Sequence, residues 1–364
     1  MSISTQQSAN IGRGYLLLGV FCVHALYTIL AMLDPHKFIS AAIMIKLLAP
    51  NVAAFFFLSG MSSRNLGRKD VPTLLRQSLM LVLLAHASHL IAEVLRQYLF
   101  YQKPNREFLS DLVMPLITGV GHANFIAWFF LALAAARIYA WTFERSKKWF
   151  IVLAAITAGM MAAATRLGLP DIYQWSNWPF AFLFLLCGMH LPDKLPIRWF
   201  TALPCLILSV GIGWVNRPGL LGHPLCMTCG LDFVAQPTIG EYGILPLYLV
   251  QQLLFLVFLL WLSSMSLGSL AGNVARYFGQ RSMKMLVMHG WIIAVLYPLT
   301  ARQLPEQESI FLFVAILSSV IVVHAFTYEI IKKPLSRFVE FIIRLSDGIV
   351  NRAAMVVRGQ RSVV

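Results

Sequence analysis

The sequence predicts an all-α, polytopic membrane protein, a bundle of about ten transmembrane helices with both termini in the cytoplasm. Of its 364 residues, 59% are hydrophobic and only 12% are charged, with a mean hydropathy of +0.73. Ordinary soluble domains carry about twice that share of charge. The apolar residues form long runs and do not alternate, which excludes a disordered chain and an outer-membrane barrel. At about 20 residues per span, ten crossings leave only short loops and no separate soluble domain.

Ten apolar runs, bounded by charged or Pro/Gly-containing segments, define the predicted spans. The shortest, 178–191, is the weakest span by length, and the segment 108–121 fits a re-entrant or interfacial element as well as a loop. The predicted spans lie at 14–33, 40–61, 73–95, 123–142, 149–167, 178–191, 199–215, 243–263, 283–300 and 310–330.

The distribution of lysine and arginine predicts the orientation. With the N-terminus inside, the inner segments hold 20 of the 29 basic residues and the outer segments hold seven. Positive charge collects on the cytoplasmic side of membrane proteins, so the net charge of +14 is a topology signal and does not predict nucleic-acid binding. We divide the chain into a transmembrane domain, 1–338, and a basic cytoplasmic tail, 339–364, which can contact anionic lipid headgroups.

Six titratable side chains within the predicted spans fall at similar depths, about 12 to 20 Å from the inner end of their helices at 1.5 Å per residue. An ionisable group inside a membrane is costly and faces the bundle interior. A single buried histidine is more often a packing residue, but six groups on five helices predict a polar chamber near mid-bilayer. They are His24, His86, His89, Arg137, His289 and His324.

One face of the third predicted helix carries His86, His89 and Glu93, at positions i, i+3 and i+7. Two histidines and a carboxylate resemble half of a metal site, but further ligands would have to come from elsewhere in the chain. We therefore predict no metal. A polar stripe that lines a path toward the outer face and a set of interhelical hydrogen bonds are the two remaining interpretations.

The inner segment 64–76 concentrates four cations and a single acid. A cytoplasmic loop of a membrane protein is often basic, and this topology signal explains the segment about as well as a phosphate-binding site does. Coenzyme A, a nucleotide sugar and a lipid pyrophosphate would each suit such a site. The four cations are Arg64, Arg68, Lys69 and Arg76.

The cysteine pair Cys226 and Cys229 forms a CxxC in the outer loop after the seventh predicted span. The pair allows a disulfide or reactive dithiol in an oxidising compartment, and His223 nearby hints weakly at zinc. The sequence is equally consistent with two cysteines that have no functional role.

Five segments of the chain carry distinctive motifs. They are GRGYLLLGVFCVH at 12–24, FFFLSGM at 55–61, HANFIAWFFLAL at 122–133, YFGQRSMKMLVMHG at 277–290 and YEIIKKPLSRF at 328–338. Together they resemble the acyltransferase 3 family of membrane O-acyltransferases, in its opening motifs, its Trp-Phe helix and its late segments. The motifs follow the family's order over almost the whole chain.

The resemblance implies transfer of an acyl group, usually acetyl from cytoplasmic acetyl-CoA, to a sugar hydroxyl at the inner membrane of a bacterium. The compact chain is similar to exopolysaccharide acetyltransferases such as those of xanthan assembly. Acetyl-CoA is then a co-substrate, no cofactor is bound permanently, and the acceptor is a polysaccharide or its lipid-linked repeat unit. The polar stripe of His86, His89 and Glu93 is then a candidate acceptor path. Many members carry an acidic residue shortly before the Phe pair, where this chain has 51–54, NVAA.

Carried over by motif, Arg13 and His24 match the family's Arg and His pair, and we expect His24 to act as the base, or briefly as an acyl carrier. Burial keeps an imidazole neutral, as a base requires. Arg13 lies about three turns below His24, so we expect it to hold the donor. Ser59 and the four cations of 64–76 are the other predicted donor contacts, and Arg137 and His289 the candidate oxyanion or orienting groups.

Two other functions fit the polar layer and the basic loop. A transporter or exporter of a lipid-linked glycan needs both features but gives no reason for the ordered motifs. A membrane component of a polysaccharide synthase would use the histidines for packing alone.

Overall fold

The structure is a computed structural model. It describes residues 5–32, 51–101, 103–124, 126–168, 171–192, 197–216, 242–301 and 310–361. The described residues form helices and turns and contain no strand, which confirms the predicted all-α class for that part of the chain. Residues 40–50 of the second predicted span and the loop with His223, Cys226 and Cys229 lie outside the described residues.

Every predicted span contains a helix. Two helices, α4 and α10, have no predicted counterpart as spans. In chain order the helices are α1 Thr5–Met32, α2 Asn51–Met61, α3 Val71–Arg96, α4 Asn105–Thr118, α5 Ala127–Arg145, α6 Lys147–Arg166, α7 Trp178–Met189, α8 Trp199–Val215, α9 Leu245–Met265, α10 Leu270–Gly279, α11 Ser282–Ala301 and α12 Ile310–Arg361.

Five stretches within the described helices are long and apolar enough to cross a membrane. They are Gln7–Leu26, Val71–Leu99, Lys147–Ala164, Leu245–Met265 and Val314–Val356. Shorter apolar helices cover Val52–Met61, Trp199–Val215 and Ser282–Val295. The last helix, α12, continues without interruption through most of the segment that the sequence assigns to the tail.

The contacts divide the chain into two compact units, the first formed by 1–62 and 187–329 and the second by 63–186 and 330–364. In the first unit, α1 packs against α10, α11, α2 and α9, while α9 packs against α8. In the second unit, α5 packs against α3 and α6, and α3 also packs against α4.

Small residues allow α1 and α10 to cross with their backbones in contact. A Cβ added to Gly14 would overlap the carbonyl group of Ala275, and one added to Gly279 would overlap the carbonyl group of Asn10. Ala275 and Gly279 are four residues apart, the spacing of the small-residue motifs that bring membrane helices together. This crossing holds α10, and the start of α11 that follows it, against α1.

Candidate active site

Three histidines from α1, α11 and α12 form a continuous hydrogen-bonded chain in the first unit. Nδ1 of His24 lies 2.8 Å from Nε2 of His289, and Nδ1 of His289 lies 2.7 Å from Nε2 of His324. Nδ1 of His324 lies 2.6 Å from the carbonyl oxygen of Val320. His289 and His324 are both 0% exposed. We call His24, His289 and His324 the histidine relay.

The Val320 carbonyl sets the tautomer of every ring in the relay. A carbonyl oxygen only accepts, so His324 carries its proton on Nδ1 and, as a neutral ring, presents the lone pair of Nε2. His289 therefore donates from Nδ1 and accepts at Nε2, and His24 donates from Nδ1. The lone pair of His24 consequently lies on Nε2, which makes that atom the basic end of the relay.

An aromatic side chain holds the relay in place. The ring of Phe21 stacks on His324, with centroids 3.8 Å apart and planes 11° from parallel. It also lies 4.5 Å from the His289 ring and meets Phe278 edge to face at 6.0 Å. Phe21 is one helical turn before His24 on α1, so the same helix supplies the end of the relay and its packing surface.

The other predicted residue on α1, Arg13, binds the end of α2. Its guanidinium donates to the Leu58 carbonyl oxygen at 2.8 Å, to Ser62 Oγ and to Asn10 Oδ1 at 3.1 Å. The last carbonyls of a helix lack partners within that helix, and a cation is favourable beside them. In the structure Arg13 thus fixes α1 to α2, and helix α1 is continuous between Arg13 and His24.

The Ser59 hydroxyl is used within its own helix. It donates to the carbonyl oxygen of Phe55 at 2.7 Å, the common i−4 bond of a helical serine. Ser59 is half-buried on α2 and belongs to the first unit, as His24 and Arg13 do.

The remaining predicted residues belong to the second unit. There Gln77 Oε1 accepts from Lys69 Nζ at 2.9 Å and from Arg137, whose other terminal nitrogen lies 3.4 Å from Ser63 Oγ. Burial, and secondarily the nearby Arg137 charge, lowers the pKa of Lys69. The shared glutamine therefore joins a residue from the predicted basic loop to one from the predicted polar layer.

Another cation of the segment 64–76, Arg76, makes an ion pair with α12. Its Nε lies 3.0 Å from an Asp347 carboxylate oxygen on α12, and both side chains are 39% exposed. Such surface pairs contribute little to stability. Arg64 is half-buried and Arg68 is exposed.

His89 is a structural residue in the second unit. Its Nδ1 accepts from the Ala123 backbone N–H at 2.9 Å, so its Nε2 carries the proton and donates to the Leu112 carbonyl oxygen at 3.2 Å. His86 Nδ1 lies 3.2 Å from Nε2 of His122, a residue that the sequence did not single out as a site residue. Buried Glu93 pairs with Arg96 at 3.4 Å.

Within the part of the chain that the structure describes, no group of three or more His, Cys, Asp or Glu side chains could hold a metal ion. The three histidines of the second unit meet through hydrogen bonds and ring contacts, as do those of the relay. The sequence predicted one polar layer for these residues. The structure places His24 and His289 in the first unit, and His86, His89 and Arg137 in the second.

Comparison with known proteins adds no relative. No protein-family model matches the chain, and neither the curated proteins nor the solved structures contain a match.

Proposed function

We propose that the chain is a membrane O-acyltransferase that transfers an acetyl group from cytoplasmic acetyl-CoA to a sugar hydroxyl of an exopolysaccharide or its lipid-linked repeat unit. The observation that carries this proposal is the histidine relay, which ends in a lone pair on His24 Nε2. We choose acyl transfer as the reaction because the ordered motifs resemble the acyltransferase 3 family. The relay by itself supports general-base chemistry at His24.

Acyl transfer to a hydroxyl needs a base, because an unassisted sugar hydroxyl is a weak nucleophile. In the proposed step the sugar oxygen attacks the thioester carbonyl carbon while its proton moves to His24 Nε2. The tetrahedral oxyanion then collapses, the C–S bond breaks, and the coenzyme A thiolate takes the proton back from His24. The products are the acetyl ester and free coenzyme A, and no other reactant is needed.

The relay assists this step by stabilising the protonated ring. When His24 gains a proton on Nε2, its Nδ1–H becomes the donor of a charge-assisted bond to His289 Nε2, which is stronger than the neutral bond. His289 remains oriented by His324, and His324 by Val320. The stabilisation therefore grows as the transition state forms, which is the condition for catalysis.

We propose that basic side chains bind the acetyl-CoA donor. We assign coenzyme A phosphates to Arg64, Arg68 and Lys69 in the second unit. Arg13 fixes α2 to α1 in the first unit. Arg76, paired with Asp347, contributes its charge to the same basic segment. We expect Arg64→Ala to raise the KM for acetyl-CoA and to leave kcat nearly unchanged, since it removes only binding of the donor.

The proposed setting is the inner membrane of a bacterium. We propose ten spans with both termini in the cytoplasm, as the excess of inner lysine and arginine requires. The donor then arrives from the cytoplasmic side, where the basic segment 64–76 lies. The acceptor is a membrane-associated glycan.

The direct test uses inverted membrane vesicles supplied with acetyl-CoA labelled in the acetyl group. The native protein is expected to label lipid-linked oligosaccharide or polysaccharide, and His24→Ala is expected to label neither while remaining inserted. His190→Ala, a change at an exposed histidine in the same unit, is the matched control and should retain full labelling. Glycan movement across the membrane without label in either fraction would support an exporter instead.

A further inference from the structure

A buried glutamine on α9 has an unused amide. Gln252 is 0% exposed, and both its Nε2 and its Oε1 lack a hydrogen-bond partner among the described residues. Leaving a buried amide unsatisfied costs about 1–3 kcal/mol, so such groups are rare in folded proteins unless a ligand uses them. Gln252 therefore has two hydrogen-bonding groups that a ligand can use.

Gln252 belongs to a buried stripe of α9, the helix that packs against α1. Gln252, Leu256, Leu259 and Ser263 are buried at steps of four, three and four residues, which places them in one stripe along the helix. At the end of this stripe, Ser263 Oγ lies 3.1 Å from where a Cβ of Gly12 on α1 would be. One end of the stripe that contains Gln252 thus lies against α1.

Gln252 and His24 are at similar distances along their helices from one contact between α9 and α1. The C-terminal end of α9 meets the N-terminal part of α1 at Ser263 and Gly12. In the proposed topology the two helices belong to the eighth and first spans, which cross the membrane in opposite directions. From that meeting point Gln252 is 11 residues back along α9 and His24 is 12 residues forward along α1. At 1.5 Å per residue, these separations are about 16 and 18 Å.

We infer that Gln252 binds the reacting acyl group, its amide N–H donating to the thioester carbonyl oxygen as that oxygen becomes the oxyanion. This inference rests on the proposed acyl transfer and adds the oxyanion donor that the base alone does not supply. An amide donor in a site closed to water stabilises developing charge more than bulk water does. The amide oxygen of the same side chain can accept a hydroxyl of the sugar.

The decisive variant is Gln252→Met, which keeps the length and volume of the side chain and removes the amide. Loss of one oxyanion donor lowers kcat by about 10²–10³-fold. We expect this loss with a KM for acetyl-CoA within about two-fold of native, because the bond strengthens only in the transition state. Gln252→Asn, which keeps an amide on a shorter chain, should recover part of the rate.

A stability measurement separates this role from packing. Because the amide has no partner among the described residues, Gln252→Met should leave the melting temperature unchanged or raise it. Gln251→Met is the matched control. It is the same change on the next residue, whose backbone carbonyl accepts from Ser209 on α8. Gln251 is also buried, but successive residues of a helix lie about 100° apart around its axis, so we expect this variant to retain kcat within about two-fold.

Three results would overturn the inference, and they are distinguishable. Native kcat in Gln252→Met, with active native protein, would show that the amide is not an oxyanion donor and would leave the proposed function standing. A fall in melting temperature that accompanies the loss of rate would show that the side chain has a structural partner. Absence of transfer by the native protein would remove the proposed function and this inference together.

Discussion

The middle histidine of the relay offers the sharpest test of how His24 is activated. His289 accepts the His24 Nδ1–H at 2.8 Å, and this bond becomes charge-assisted once His24 is protonated. Hydrogen bonds to charged groups contribute about 1.5–3 kcal/mol. At 1.36 kcal/mol per tenfold change in rate, His289→Leu is expected to lower kcat by about 10- to 150-fold.

The assay is steady-state transfer of labelled acetyl by purified protein, with kcat and KM measured separately. KM for acetyl-CoA should stay near native, because His289 contacts His24 and not the donor. His289→Gln keeps an acceptor and a donor at a similar separation, so it should restore the rate to within about tenfold of native. A native kcat in His289→Leu, or equal losses in the Leu and Gln variants, would refute the relay.

Two further predictions concern the helices that hold the relay. Gly279→Ala places a Cβ against the carbonyl of Asn10, and overpacking of this kind costs about 1–3 kcal/mol, so the melting temperature in detergent should fall. Gly211→Ala meets nothing within 4 Å and should not lower it; equal melting temperatures for the two variants would contradict the backbone crossing. Arg13→Ala removes charged bonds to the end of α2, including that to Leu58, and should lower stability by about 1.5–3 kcal/mol. A raised KM for acetyl-CoA with unchanged melting temperature would instead make Arg13 a donor contact.

Hydropathy predicted the helices well because burying apolar runs dominates the fold of such a chain. Each predicted span contains a described helix, and five stretches are long enough to span a membrane. The helix Leu270–Gly279 was missed as an element because it is short and amphipathic. Its signal was the small-residue pair Ala275 and Gly279, which is visible in the sequence only once its partner on α1 is known.

The candidate site shows why side-chain partners are harder to predict than depth. The rise per residue of a helix predicted similar membrane depths for His24 and His289. The structure brings these two residues, which are 265 positions apart in the sequence, into contact. The same argument grouped them with His86 and His89, which belong to the other unit. Depth along a helix does not say which face a side chain occupies or which helices are neighbours.

The orienting groups of His24 were predicted only in part. The sequence identified His289 as one of two candidate orienting groups and offered no acidic residue before the Phe pair, and the structure adds His324 and the Val320 carbonyl. A backbone carbonyl leaves no trace in the residue type, so no pattern could have indicated it. Gln252 was missed for a similar reason, since an unsatisfied amide is recognised only from its surroundings.

Transfer of labelled acetyl by native protein and by His24→Ala, both purified and of equal melting temperature, tests the central claim most directly. With acetyl-CoA and a lipid-linked glycan as substrates, the native protein is expected to form a glycan ester. His24→Ala is expected to lose about 10²–10⁴-fold in rate, the usual contribution of a general base. Equal ester formation by the two proteins would contradict the role of His24 as the base.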